Sequence, residues 1–113
     1  MKRILIVDDD SDTVERLGVL LADRYQTDSA SNGFDALAQL NRQAYDMVLL
    51  DIRMPGLDGP GLIKLLQERR IPVPIVLMSA NPDLSALARR LGVSLSLTKP
   101  FPVERLEAII DQL

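Results

Sequence analysis

Short apolar, β-branched runs alternate with segments of helical period from one end of this chain to the other, and that alternation constrains its fold more than any other feature. Ile4-Leu5-Ile6-Val7 is a compact run with polar residues on both sides, as a strand buried on both faces requires. Met47-Val48-Leu49-Leu50 and Ile75-Val76-Leu77-Met78 repeat the pattern, and Gln26 to Ala30 and Leu95 to Leu97 are weaker versions of it. Between them the apolar residues switch to helical spacing. Val14, Leu17 and Leu21 share one face behind Asp12 as the expected N-cap, and Asn32-Gly33 turns into a helix carrying Leu37 and Leu40.

The stretch Met54 to Pro60 is too rich in Pro and Gly for regular structure, and Pro60 suits the first helical position before Leu62, Leu65 and Leu66. Asn81-Pro82 is expected to open a fourth helix, with Leu84, Leu87, Ala88 and Leu91 in register and Gly92 ending it. Leu106, Ile109, Ile110 and Leu113 line the last helix. Five strands and five helices in strict alternation predict an α/β chain with a three-layer αβα arrangement, a parallel sheet covered by helices on both faces. Residues 1–113 read as one domain, without repeat, linker or low-complexity tract. Gly18, inside the first helix, suggests a close approach of another element. Phe34, early in the second, is expected to be partly exposed and to make a structural contact rather than serve in binding.

Composition narrows the chemistry. With no His and no Cys, the chain has neither imidazole nor thiolate metal sites, no disulfides, and no means of carrying a phosphohistidine itself. A net charge of −3 with interspersed signs argues against direct nucleic-acid binding. The N-terminal apolar run is too short for a signal peptide and no run is long enough to span a membrane, so a cytoplasmic protein without membrane contact is expected.

A doubly wound parallel sheet binds ligands beyond the carboxyl ends of its strands, where strand order reverses. The residues that follow the buried runs are therefore the candidates: Asp8, Asp9 and Asp10 after the first, Asp51 after the third, Ser79 after the fourth and Lys99 after the fifth. Carboxylates gathered there repel one another and call for a hard divalent cation with oxygen ligands, for which magnesium is the natural choice. The Lys99 ammonium and the Ser79 hydroxyl suit phosphoryl oxygens, and phosphoryl transfer needs mainly positioning and charge neutralisation. A carboxylate attacking phosphorus gives an acyl phosphate. Asp10 and Asp12 are read as helix N-terminal charges.

Val7-Asp8-Asp9, Leu50-Asp51-Ile52-Arg53-Met54-Pro55-Gly56 with Asp58-Gly59, Ser79-Ala80 and Lys99-Pro100-Phe101 occur in an order that resembles the response-regulator receiver domain of two-component signalling, from Lys2 onward. The resemblance implies a flavodoxin-like fold with strand order 2-1-3-4-5. It also implies Asp51 as phosphoacceptor, Mg2+ held by Asp9, Asp51 and the Arg53 carbonyl, and Asp8 holding a metal-bound water. Ser79 and Lys99 would contact the phosphoryl group, and a cis peptide would precede Pro100. The implied partners are a sensor histidine kinase or phosphotransfer protein upstream and an output domain or protein downstream. Ser96 departs from the family, which often has an aromatic residue there, so aromatic gating of the last strand is in doubt.

Three other readings compete. A phosphatase of the haloacid-dehalogenase type would use Asp10-x-Asp12-x-Val14, but Asp10 lies past the strand end and Asp51 would go unexplained. A receiver fold that no longer takes phosphate has only Ser96 in its favour. A calcium loop on Asp8, Asp10 and Asp12 fails because Thr13 stands where that loop needs Gly.

Overall fold

The computed structural model describes residues 1–113. The elements run β1 (Arg3–Val7), α1 (Ser11–Leu21), β2 (Gln26–Ala30), α2 (Gly33–Arg42), β3 (Met47–Asp51), α3 (Gly59–Glu68), β4 (Ile75–Ser79), α4 (Leu84–Arg90), β5 (Leu95–Thr98) and α5 (Val103–Asp111). All neighbouring strands pair in parallel, in the order β2-β1-β3-β4-β5. This is the arrangement that the alternation and the family resemblance lead one to expect.

Alternate side chains of each strand serve opposite faces. Leu5, Val7, Val48, Leu50 and Leu77 pack with Leu37, Leu62, Leu66 and Leu84 under α2, α3 and α4. Ile4, Ile6, Met47, Leu49 and Met78 pack with Leu17, Leu21, Leu106 and Ile110 under α1 and α5. The central strands are thus apolar on both sides, while edge strand β2 is mostly polar. No helix is long and apolar enough to cross a membrane.

Several local details differ from expectation. The N-cap of α1 is Asp10, whose side chain accepts from the Asp12 N–H, so Asp12 lies inside the helix. Pro60 is the second residue of α3, behind Gly59, and Asp58 caps that helix at the Gly61 N–H. Asn81 and Pro82 precede α4 rather than open it, and Asp83 at the N-cap makes no side-chain capping bond. Gly18 is not at a close approach: a Cβ there would meet only Thr27 Oγ1 at 3.8 Å. The glycine that does need to lack a side chain is Gly33, where a Cβ would stand 2.5 Å from the Leu57 carbonyl oxygen. Phe34 agrees with expectation: it is exposed, and its ring lies beside Gly56.

Candidate functional site

The sheet order reverses between β1 and β3, and the carboxyl ends of these two strands bring the acidic residues together. β3 runs one residue further than its apolar run because Asp51 still pairs with Met78 of β4. β4 likewise extends to Ser79, paired with Thr98. The candidate side chains therefore sit on the last rungs of the ladder or just past them, on backbone held by the sheet.

Asp8, directly after β1, is only 2% exposed and is the one charged residue in the buried set. Its Oδ1 accepts the Asp10 N–H at 2.9 Å and its Oδ2 the Lys99 ammonium at 3.2 Å. Both oxygens of a buried carboxylate are thus satisfied, which its burial demands. Asp9, the next residue, is exposed. One carboxylate oxygen from each of Asp8, Asp9 and Asp51 falls within 4.8 Å of the others.

Lys99 Nζ also lies 3.8 Å from Asp51 Oδ1. One ammonium facing three carboxylates leaves the cluster negatively charged. The Asp51 carboxyl registers this: burial first, then the charges of Asp8 and Asp9, push its pKa up to about 6, against the pull of Lys99. An all-oxygen set of this kind, short of positive charge, fits a hard divalent cation.

Asp10 stands apart. Its oxygens accept the Asp12 N–H at 3.1 Å and the Thr13 hydroxyl at 2.9 Å, and these bonds hold its carboxyl below the usual range. A carboxylate committed to capping α1 is not placed as a nucleophile, which removes the basis for the phosphatase reading at Asp10 and Asp12. Through its own N–H, Asp10 also holds Asp8 Oδ1, a contact that the sequence reading misses.

The Ser79 side chain makes no hydrogen bond to the carboxylates. Its Oγ accepts the Asn81 N–H at 3.1 Å, and its backbone oxygen accepts the Lys99 N–H at 2.8 Å. That backbone bond ties the start of the Lys99 loop to the end of β4. The Lys99–Pro100 peptide is cis. Arg53 is exposed and lines an open cleft with Asp9, Met54, Pro55 and Asp58. The loop after Asp51 is anchored at both ends, by Gly59 N–H to the Ile52 oxygen at 3.0 Å and by Gly33 N–H to the Leu57 oxygen at 3.1 Å. Ser96 pairs with Leu77 in β5 and is half-buried.

Residues 4–111 match the family model of the response regulator receiver domain. Among curated relatives, the chain is 36% identical over 112 residues to the DNA-binding transcriptional regulator NtrC of Salmonella typhimurium, a match covering 96% of this chain and 24% of that protein. It is 34% identical over 111 residues to the transcriptional regulatory protein DltR of Streptococcus agalactiae, covering 96% of this chain and 50% of the relative. The chain therefore spans about a quarter to a half of the length of these relatives. Among solved structures, the receiver domain of the Francisella response regulator 1452 superposes with a TM-score of 0.91 at 28% identity, covering 99% of this chain and 95% of that one. A two-component response regulator from Clostridium difficile gives 0.87 at 32% identity, covering 99% and 94%.

Proposed function

The chain belongs to the response regulator receiver domains, the signalling domains of two-component systems, and from that premise we propose that Asp51 accepts a phosphoryl group from the phosphohistidine of a partner kinase or phosphotransfer protein. The observation that carries this reading is the meeting of Asp8, Asp9 and Asp51 oxygens within 4.8 Å of one another beside the Lys99 ammonium. Asp9 and Asp51, with the Arg53 carbonyl, would hold Mg2+ directly, and Asp8 would hold it through a water. When bound, Mg2+ supplies the positive charge that offsets the repulsion between the carboxylates and an incoming phosphoryl group.

The chain's own residues do the rest. An Asp51 oxygen attacks phosphorus in line, and the new O–P bond forms as the N–P bond to the donor imidazole breaks. The electron pair of that bond stays on the imidazole nitrogen, which takes up a proton. Lys99 is placed to turn from Asp8 toward the phosphoryl oxygens. The Ser79 hydroxyl accepts from Asn81 and keeps its own hydrogen free to donate. Drawing Ser79 and Lys99 inward shifts the loop leading to α4, and the altered face changes affinity for an output domain or protein by population shift. On this reading the chain takes one phosphoryl group per molecule and does not turn over phosphate esters as an enzyme.

Acetyl phosphate with magnesium tests the assignment. Intact-mass measurement is expected to find one phosphoryl group, labile to alkali and to hydroxylamine, and Asp51→Asn should abolish it. Persistence of the label in Asp51→Asn would overturn the acceptor assignment.

A further inference from the structure

A cavity of about 660 Å3 opens at the far end of the sheet from the carboxylates. It lies between the amino ends of β4 and β5 and the carboxyl end of α3, with a floor formed largely by Ile71, Val73, Ile75, Val93 and Leu95. Its lining residue Ile75 and Ser79 stand at opposite ends of β4, about 13 Å apart along the extended chain. Arg70 lines the groove. Arg69 precedes it at the C-cap of α3, and Arg89 and Arg90 occupy the last turn of α4. The two helix ends adjoin, since Gln67 Nε2 of α3 lies 3.5 Å from the Leu91 carbonyl oxygen that it faces.

All four arginines are exposed. The ion pairs of the molecule use only Arg24 and Lys99 as cations, so none of the four is neutralised by a carboxylate. Glu68, also exposed, is the single acidic residue beside them in sequence. In a chain of net charge −3 this is a local reversal of sign.

The helix dipole accounts for Arg89 and Arg90, which complement the carboxyl end of α4. It does not account for Arg70. That residue has φ of 53°, in the left-handed region where a Cβ is disfavoured, whereas α4 ends on Gly92 at φ 76°. An arginine kept where the same molecule elsewhere uses glycine points to a use for its side chain.

We propose that this groove docks an acidic segment of a partner protein, with apolar side chains on the Ile71–Leu95 floor and carboxylates against Arg70, Arg69, Arg89 and Arg90. Charge complementarity selects this occupant. The floor selects for apolar anchors, which a nucleic-acid backbone lacks, and a bidentate guanidinium matches a carboxylate. The inference concerns a surface distinct from the phosphoacceptor end and stands independently of it.

The test is fluorescence anisotropy of a labelled peptide of alternating Glu and Leu, titrated with the full chain. Saturable binding is expected, weakening with added salt. It should fall roughly tenfold in Arg70→Gly/Arg89→Ala, as expected for the loss of interfacial charge pairs. Arg70→Lys should recover part of the loss, and replacing Leu by Ser in the peptide should also weaken binding. Circular dichroism should find the Arg70→Gly/Arg89→Ala variant folded, because glycine suits that backbone. Failure of the acidic peptide to bind, or equal binding to wild type and variant, would overturn the proposal. So would tighter, arginine-dependent binding of duplex DNA or phosphatidylglycerol vesicles, or a sedimentation-detected dimer of the chain that the variant loses.

Discussion

Asp51 keeps its proton to about pH 6, although an ordinary aspartate loses it near 3.8. Between those values the folded chain binds more protons than the unfolded chain, so this residue makes stability fall as pH rises through that window. Above it the charged carboxylate is a standing cost, on the order of 2 kcal/mol. In chelator-treated protein, Asp51→Asn is therefore expected to raise stability at neutral pH by about 1–2 kcal/mol, and the gain should vanish by about pH 4. Urea denaturation of both proteins at the two pH values measures this, and a gain that persists in acid would refute the electrostatic cause. Asp8 differs in kind: it is more buried, yet Lys99 and the Asp10 N–H take up both its oxygens.

The loop that follows Asp51 depends on an element far from it in sequence. Gly33, the first residue of α2, receives the Leu57 carbonyl so closely that a methyl group there would overlap the oxygen at 2.5 Å. The obstacle is backbone rather than a flexible side-chain end, so Gly33→Ala must displace the loop or the start of α2. A loss of about 2 kcal/mol is expected, as for other overpacked sites. On the proposed Mg2+ site the same variant should bind magnesium more weakly, because the Arg53 carbonyl belongs to the displaced loop. Thermal unfolding and a magnesium titration followed by NMR check the two effects separately. Unchanged behaviour in both would show that the contact has no positioning role.

Across the molecule the two faces of the sheet are fastened differently. The cluster under α2, α3 and α4 holds 17 buried residues and that under α1 and α5 holds 12, and the smaller layer is closed by polar ties at its edge. The Tyr25 hydroxyl donates to Asp111 at 2.7 Å, Arg24 pairs with Glu107 and Asp111, and Lys2 Nζ donates to the Ile110 oxygen at 2.7 Å. Together these bind α5 to the start of β1 and the turn before β2. Tyr25→Phe should cost about 1 kcal/mol at neutral pH. Burial, then Asp111, pushes the Tyr25 hydroxyl from 10.0 up to about 12. The unfolded chain therefore releases this proton first, and stability is expected to fall between those pH values. The phenylalanine variant should lack that part of the decline in alkaline urea titrations.

Much of this architecture is legible in short windows of sequence, because strand and helix periodicity are local properties. The apolar runs at residues 4–7, 47–50 and 75–78 and the acids and serine that close them establish a parallel sheet with polar groups at one end. The residue types also suffice to exclude imidazole and thiolate chemistry. What they leave open is which groups meet, since distances between remote segments depend on packing and on the order in which strands pair. Only the tertiary structure joins Asp8 to Asp51 and Lys99, leaves Ser79 bonded to Asn81 instead, assigns the cap to Asp10 rather than Asp12, and makes Gly33 rather than Gly18 the indispensable glycine. The groove beside Arg70 is of the same origin: it exists because the carboxyl ends of α3 and α4 lie side by side on one face of the sheet, a proximity set by tertiary packing and not by any local pattern.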